Sequence, residues 1–300
     1  MYSIIESKKN KNNIDYIEIE DALKTSYAKI YLNLGASLQE LILNNHHIIK
    51  DLAPLTYDNT YSSSILFPFA NRIADGIYEY EGEQYFLNIN QKKENNALHG
   101  LVFNKTFELV EKKVTQEEAT VLLRYEEKGH AQGFPYTYRI DLKYTLTKKS
   151  LDLSVSVNNT DTKKFPFTLG WHPYFNSTDL YNSIVRFKSH KQILFDERNI
   201  SQGFREFEMS DAFKIEKKSL DDCYLLDSTK ILFETPNYSF ELSSSEKDCF
   251  LQLYTPPQSN TLAIEPTTGI SNSFNNRIGL KTLKPNDSYN INWKLKLNKK

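Results

Sequence analysis

The stretch GWHPYFN, residues 170–176, sets His172 between a tryptophan and a proline. Counted with the two-residue period of a strand, Phe165, Phe167, Leu169 and Trp171 share one face of FPFTLGWHPYF. Thr168, Gly170 and His172 share the other face, until Pro173 interrupts the ladder. Small residues beside an imidazole leave room for a ligand, and an imidazole titrates close enough to neutrality to give or take a proton. TLAIEPTTG, residues 261–269, follows the same plan, with Leu262 and Ile264 on one face, Ala263 and Glu265 on the other, then Pro266. A lone histidine is more often a satisfied structural residue, and a lone glutamate a surface one. Two strand ends of matching design, one presenting an imidazole and one a carboxylate, say more than either alone.

Three further stretches could join them around a bound molecule. FANRIADG places Asn71 and Arg72 in an apolar context with a turn beyond, and NALHGLVFN puts His99 directly before Gly100. Glycine there lets the backbone bend closely around a ligand. SLDDCYLL contributes Asp221 and Asp222. Taken singly, these read as a surface ion pair, a loop histidine and a polar turn. His46 and His47 are adjacent, and no HExxH or CxxC spacing occurs, so no metal site is expected. Neither a GxGxxG nor a P-loop is present to suggest a nucleotide.

The elements that must position these residues are strands. In YTYRIDLKYTL, residues 136–146, the even positions are apolar, and after the turn TKKS the phase restarts in LDLSVSV. YNINWKLKL repeats the alternation near the C-terminus, and GIYEYEGEQYFL reads as a hairpin turning near Gly82. Nineteen Tyr and eighteen Phe fit the aromatic bias of strands. Helical signals are few and short, a segment DALKTS near residue 21 and a turn around SDAFKIEKK. With no Pro/Ser-rich linker, the expected architecture is all-β, one continuous domain over residues 1–300 made of two large antiparallel sheets packed face to face, with two smaller β domains as the alternative.

The 300 residues carry 37 Lys+Arg against 38 Asp+Glu, a net charge of -1, which argues against a nucleic-acid footprint. The basic runs KKNKN and NKK are short enough to be solvated tails. No 18-residue apolar run and no secretory layout at the start are seen, so a soluble cytoplasmic protein is expected, with no membrane partner. Cys223 and Cys249 are expected as free thiols.

FANRI, NALHG, GFPYTYRIDLKYTL, LGWHPYFN, LDDCY and AIEPTTG followed by NNRIGLKTLKPNDSYNINWKLKL resemble, in order, the motifs of the aldose 1-epimerase (galactose mutarotase) family. The resemblance runs from about Tyr31 to Leu297, and GASLQELILNN is similar to the family's opening hairpin. It implies a single large antiparallel β-sandwich of the supersandwich type, in accord with the strand pattern. It also implies His172 as general acid and Glu265 as general base. Arg72, His99 and Asp221 would hold sugar hydroxyls, with Asn71 a neighbouring candidate. Asp221 is chosen over Asp222 because the family pattern is Asp, two residues, then an aromatic, which Tyr224 supplies. Two departures bear on sugar preference: Leu101 stands where a second glycine often follows LHG, and the histidine motif is GWHPYFN rather than H-x-YFNL preceded by Asn.

The implied reaction interconverts the α and β anomers of a hexose such as glucose or galactose. One base and one acid on opposite sides of the C1–O5 unit suffice, with no metal, nucleotide or redox cofactor, and each positioned proton transfer contributes roughly 10²–10⁴-fold. A nearby Glu265 carboxylate is expected to favour protonated His172. A hexose-6-phosphate 1-epimerase would need an added Arg or Lys cluster for the phosphate, and none stands beside the motifs. A non-catalytic carbohydrate-binding module has no reason to keep both His172 and Glu265. The small-molecule sugar is the expected partner, for a monomer or weak homodimer.

Overall fold

The alternation of residues 136–157 becomes a long antiparallel hairpin of the structure, a computed structural model that describes residues 1–7, 15–208, 212–216, 219–247, 249–257 and 260–298. Strands Thr137–Thr147 and Ser150–Asn159 pair antiparallel, with Ile140 opposite Val157 and Leu142 opposite Val155. Tyr138, Ile140, Leu142, Tyr144 and Leu146 are fully buried, each contributing on the order of 1.5–3 kcal/mol. Ser288–Leu297 lies against the second strand, setting Trp293 opposite Leu153. These strands form the centre of a nine-stranded antiparallel sheet.

The site-bearing segments build a second, eight-stranded sheet. Across it run Lys191–Phe195, Asp221–Leu225, Phe250–Tyr254 and Thr261–Thr267, followed by the short strands Gly170–Trp171 and Tyr174–Asn176. The two sheets meet where Trp171 stacks on Trp293, ring centroids 6.1 Å apart, and where Phe175 meets Phe240 at 4.6 Å. One hydrophobic cluster contains both tryptophans and extends into a third sheet of five strands between Tyr2 and Ile49. That third sheet was not part of the two-sheet expectation. Its last hairpin is Ser37–Leu43 with His46–Ile49, turning at Asn44 and Asn45, both with positive φ.

The fold is all-β, about 53% strand and 4% helix among the described residues, a large antiparallel sandwich of the expected type. The expected hairpin at Gly82 is present, joining Ile77–Tyr80 to Glu83–Phe86. The helical signal DALKTS is instead a hairpin turn, because Asp21 Oδ1 accepts the backbone N–H groups of Leu23 and Thr25, each at 2.9 Å. Within SDAFKIEKK, Phe213–Lys214 is a strand, while residues 210–211 and 217–218 lie outside the described residues. The basic run KKNKN and the lysines of NKK also lie outside them. Cys223 and Cys249 are buried thiols outside any disulfide. Among the described residues, no helix is long and apolar enough to cross a membrane.

Candidate active site

One strand register brings the two focal residues together. Thr261–Thr267 pairs with Gly170 through Thr267 and with Tyr174 through Ala263. Continued across the break between those short strands, the register sets His172 directly opposite Glu265. Pro173 has no N–H to give, but its carbonyl accepts Ile264 N at 3.3 Å. The backbone of His172 turns to the other side, donating to the Ser64 carbonyl at 3.1 Å and accepting from Ser63 N at 2.8 Å. His172 Nε2 and Glu265 Oε1 are 3.3 Å apart, with the residues only 4% and 3% exposed.

The small residues beside this pair serve packing, not ligand room. A Cβ on Gly170 would lie 2.9 Å from Thr267 Cγ2, and the Thr168 hydroxyl accepts Ala70 N at 2.9 Å. Gly100 (φ +77°) likewise approaches protein rather than ligand, since a Cβ there would lie 2.2 Å from the Phe67 carbonyl oxygen.

The same face continues across the next strands. Gln252 stands opposite Glu265, and Tyr254 stands opposite Asp221. Asp221 accepts from Gln252 Nε2 at 2.6 Å and from Asn199 Nδ2 at 3.1 Å, with Arg72 Nη2 3.9 Å away. Asp222 faces the opposite side, where it accepts from Gln192 Nε2 at 2.7 Å. Arg72 donates from Nη1 to Asn71 Oδ1 at 2.8 Å and from Nε to Gln91 Oε1 at 3.0 Å. His99 (φ +62°) sets its ring edge-on to that of His172, centroids 5.0 Å apart.

His172, Glu265, Asn71, Arg72, His99 and Asp221 all line one cavity of about 260 Å³. Its wall also contains Tyr61, Gln91, Glu94, Asn199, Gln252 and Tyr254, none of which sequence reasoning selected. Gln252 carried a usable signal, as the polar residue inside the apolar run FLQLY. Gln91 and Asn199 sit outside the strands, with no periodicity to betray them. Among the described residues, no three His, Cys, Asp or Glu side chains are grouped to hold a metal ion.

Burial dominates the electrostatics. Removal from water pushes the His172 imidazole down to about 4, with the Arg72 charge adding to the effect. It raises Glu265 well above the usual carboxylate range, reinforced by Asp221 and opposed by Arg72. His99 falls well below its ordinary value, by burial and then by the charges of His172 and Arg72. Asp221 is raised by burial against the pull of Arg72. The expectation that Glu265 holds His172 protonated is therefore reversed. Desolvation penalises both charged forms, which favours a neutral imidazole beside a protonated carboxyl group over an ion pair at the 3.3 Å contact. Neither His172 Nδ1 nor His99 Nδ1 has a hydrogen-bond partner among the described residues, and for His172 a backbone contact only partly offsets the loss of water.

A family profile described as aldose 1-epimerase matches residues 16–296. The Escherichia coli (strain K12) protein YihR is 25% identical over 269 residues, 86% of each chain. A galactose mutarotase of Pongo abelii is 29% identical over 175 residues, 55% of this chain and 49% of that one. Among solved structures, a galactose mutarotase-like protein from Clostridium acetobutylicum superposes with TM-score 0.87 at 22% identity, covering 99% of both chains. Galactose 1-epimerase from Lactobacillus acidophilus NCFM superposes with TM-score 0.81 at 17% identity, over 99% of this chain and 98% of that one.

Proposed function

The chain belongs to the aldose 1-epimerase family, and from that premise we propose that it interconverts the α and β anomers of a free hexose by acid–base opening and closing of the ring. The observation that carries this reading is the buried imidazole and carboxyl group side by side, 3.3 Å apart, in the cavity wall. The anomeric and ring oxygens of a sugar share one carbon and stand closer together than a hydrogen-bond length. Two neighbouring protein groups can therefore reach one oxygen each. Glu265 takes the proton of the anomeric hydroxyl, the C1–O5 bond breaks as C1 becomes a carbonyl, and His172 delivers a proton to O5. These roles require the pair's single proton on the imidazole, reached by transfer across their contact. The Arg72 charge acts on both ends of that transfer, favouring ionised Glu265 and disfavouring charged His172. Rotation about C1–C2 and closure by the reverse steps give the other anomer, leaving the pair as it began.

Asn71, Arg72, His99 and Asp221 act as hydroxyl-binding groups in this scheme, with a cation and a carboxylate 3.9 Å apart supplying donor and acceptor. A phosphorylated hexose suits the cavity poorly. Among the described residues lining it, Arg72 is the one cation, already beside Asp221, and Glu94 and Glu265 add acid groups. A binding module that merely held sugar would gain nothing from burying an acid–base pair. Relatives named for galactose make that hexose the first to test, and the buried reduced thiols support a cytoplasmic setting.

The test follows fresh α-galactose, α-glucose and a hexose 6-phosphate by polarimetry or by the anomeric NMR signals. Equilibration of a free sugar far above the buffer rate, abolished by Glu265→Gln, is the expected result. Sugar binding without acceleration would refute the reaction in favour of a binding module. Acceleration confined to the phosphate ester would refute the free-hexose assignment.

A further inference from the structure

Arg198 does not line the cavity, yet it ties together two segments that do. Its Nε donates to the Glu94 carbonyl at 2.8 Å. Its Nη2 lies 2.9 Å from Asp75 Oδ1 and 3.0 Å from both the Asn95 carbonyl and Asn96 Oδ1. Asn96 is fully buried and answers by donating from Nδ2 to the Arg198 carbonyl at 3.1 Å. The same amide donates to Gln91 Oε1 at 3.1 Å, the oxygen that receives Arg72 Nε at 3.0 Å. In the other direction, Asn199 follows in the left-handed conformation (φ +59°), its carbonyl accepting the Ser271 hydroxyl at 2.7 Å. Its Nδ2 donates to Asp221 Oδ2 at 3.1 Å. One line of hydrogen bonds thus runs from Arg198 through Asn96 and Gln91 to Arg72, and the peptide bond from Arg198 to Asn199 leads to Asp221, 3.9 Å from Arg72.

We propose that Arg198 is a positioning residue for the sugar site, joining residues 196–200 to residues 94–96 so that Gln91 is held against Arg72 and Asn199 against Asp221. The role rests on the cavity being a sugar site, as argued above. A site whose donor and acceptor are aligned before the ligand arrives loses no binding energy to ordering them. The planar guanidinium suits the task because its fixed fork of N–H groups faces several acceptors at once. A lysine ammonium is a point charge with three donors and cannot reproduce that arrangement.

The test compares Arg198→Ala and Arg198→Lys with Arg124→Ala, which removes a comparable ion pair to Asp141 (2.7 Å) on the nine-stranded sheet. Both Arg198 variants should raise KM roughly tenfold with kcat nearly unchanged, a coupling of ordinary size for one hydrogen-bonded network. In an Arg72→Ala/Asp221→Asn background the added loss should shrink to about twofold or less, because the groups it acts through are gone. An unmoved KM, an equal loss in both backgrounds, or the same loss from Arg124→Ala would overturn the proposal. A readout without sugar separates this failure from failure of the proposed reaction. The Arg72 Nε–H resonance, held by Gln91, should exchange faster in Arg198→Ala than in the wild type or Arg124→Ala. Unchanged exchange would overturn the clasp even if the enzyme is active, and faster exchange would uphold it even if no sugar turns over.

Discussion

Replacing Glu265 by Gln should make the protein progressively more stable than the wild type as pH rises. In the unfolded chain the carboxyl ionises near its ordinary value of 4.5, whereas burial holds the native carboxyl protonated well above that. Above that ordinary value the native state therefore binds a proton that the unfolded state has released. Unfolding free energy must then fall with pH, by about 1.4 kcal/mol per pH unit for one proton, until native Glu265 ionises. The residue is only 3% exposed, so solvent screening does little to soften the effect. The side-chain amide of the variant has nothing to titrate. His172 acts with the opposite sign, since its native imidazole stays neutral down to about 4 while the unfolded one charges below 6.5. That contribution, a stability gained as pH rises from about 4 to 6.5, belongs to both proteins and cancels in their difference. Burial and Arg72, which set it, survive the substitution. Urea unfolding followed by the buried Trp171 and Trp293 at steps from about pH 5 upward gives the difference directly. A flat difference would refute the reasoning, showing Glu265 ionised in the native fold and paired with a charged His172.

Glu265→Gln and His172→Asn should each lower the mutarotation rate by roughly 10²–10⁴-fold while sugar affinity measured by calorimetry stays near wild type, and the double variant should lose far less than the product. The wild-type kcat/KM should fall on the acid side as the pair gains a second proton, with the imidazole near 4, and on the alkaline side as the pair loses its only one. A pH–rate profile rising through the ordinary histidine value of 6.5 would contradict that placement. Arg72→Ala should raise KM at least as much as it lowers kcat, because hydroxyl contacts made alike in ground and transition states act uniformly; initial rates across sugar concentration decide it.

The all-β sandwich was legible because alternation with period two is a local property. Tyr138 to Leu146 announce a strand with one dry face, wherever that strand later docks. His172 and Glu265 were legible for a related reason: a titratable side chain beside a proline breaks the pattern around it. Pro266 does not end its strand, however, which runs on to Thr267, so Glu265 stands inside the strand and not at its end. The family resemblance then ordered the scattered motifs and chose Asp221 over Asp222, which the register places on opposite faces. DALKTS misled because its short pattern could not reveal that Asp21 would commit its carboxylate to turn amides. Tertiary structure alone decided the rest. The pairing of residues 170–176 with 261–267 made neighbours of groups 93 positions apart, and the surrounding fold brought in Gln91 and Asn199 from segments with no pattern of their own. It also decided the charge state. The sequence could supply the attraction between an imidazole and a carboxylate, but the desolvation that opposes both charges depends on how completely the fold excludes water from them.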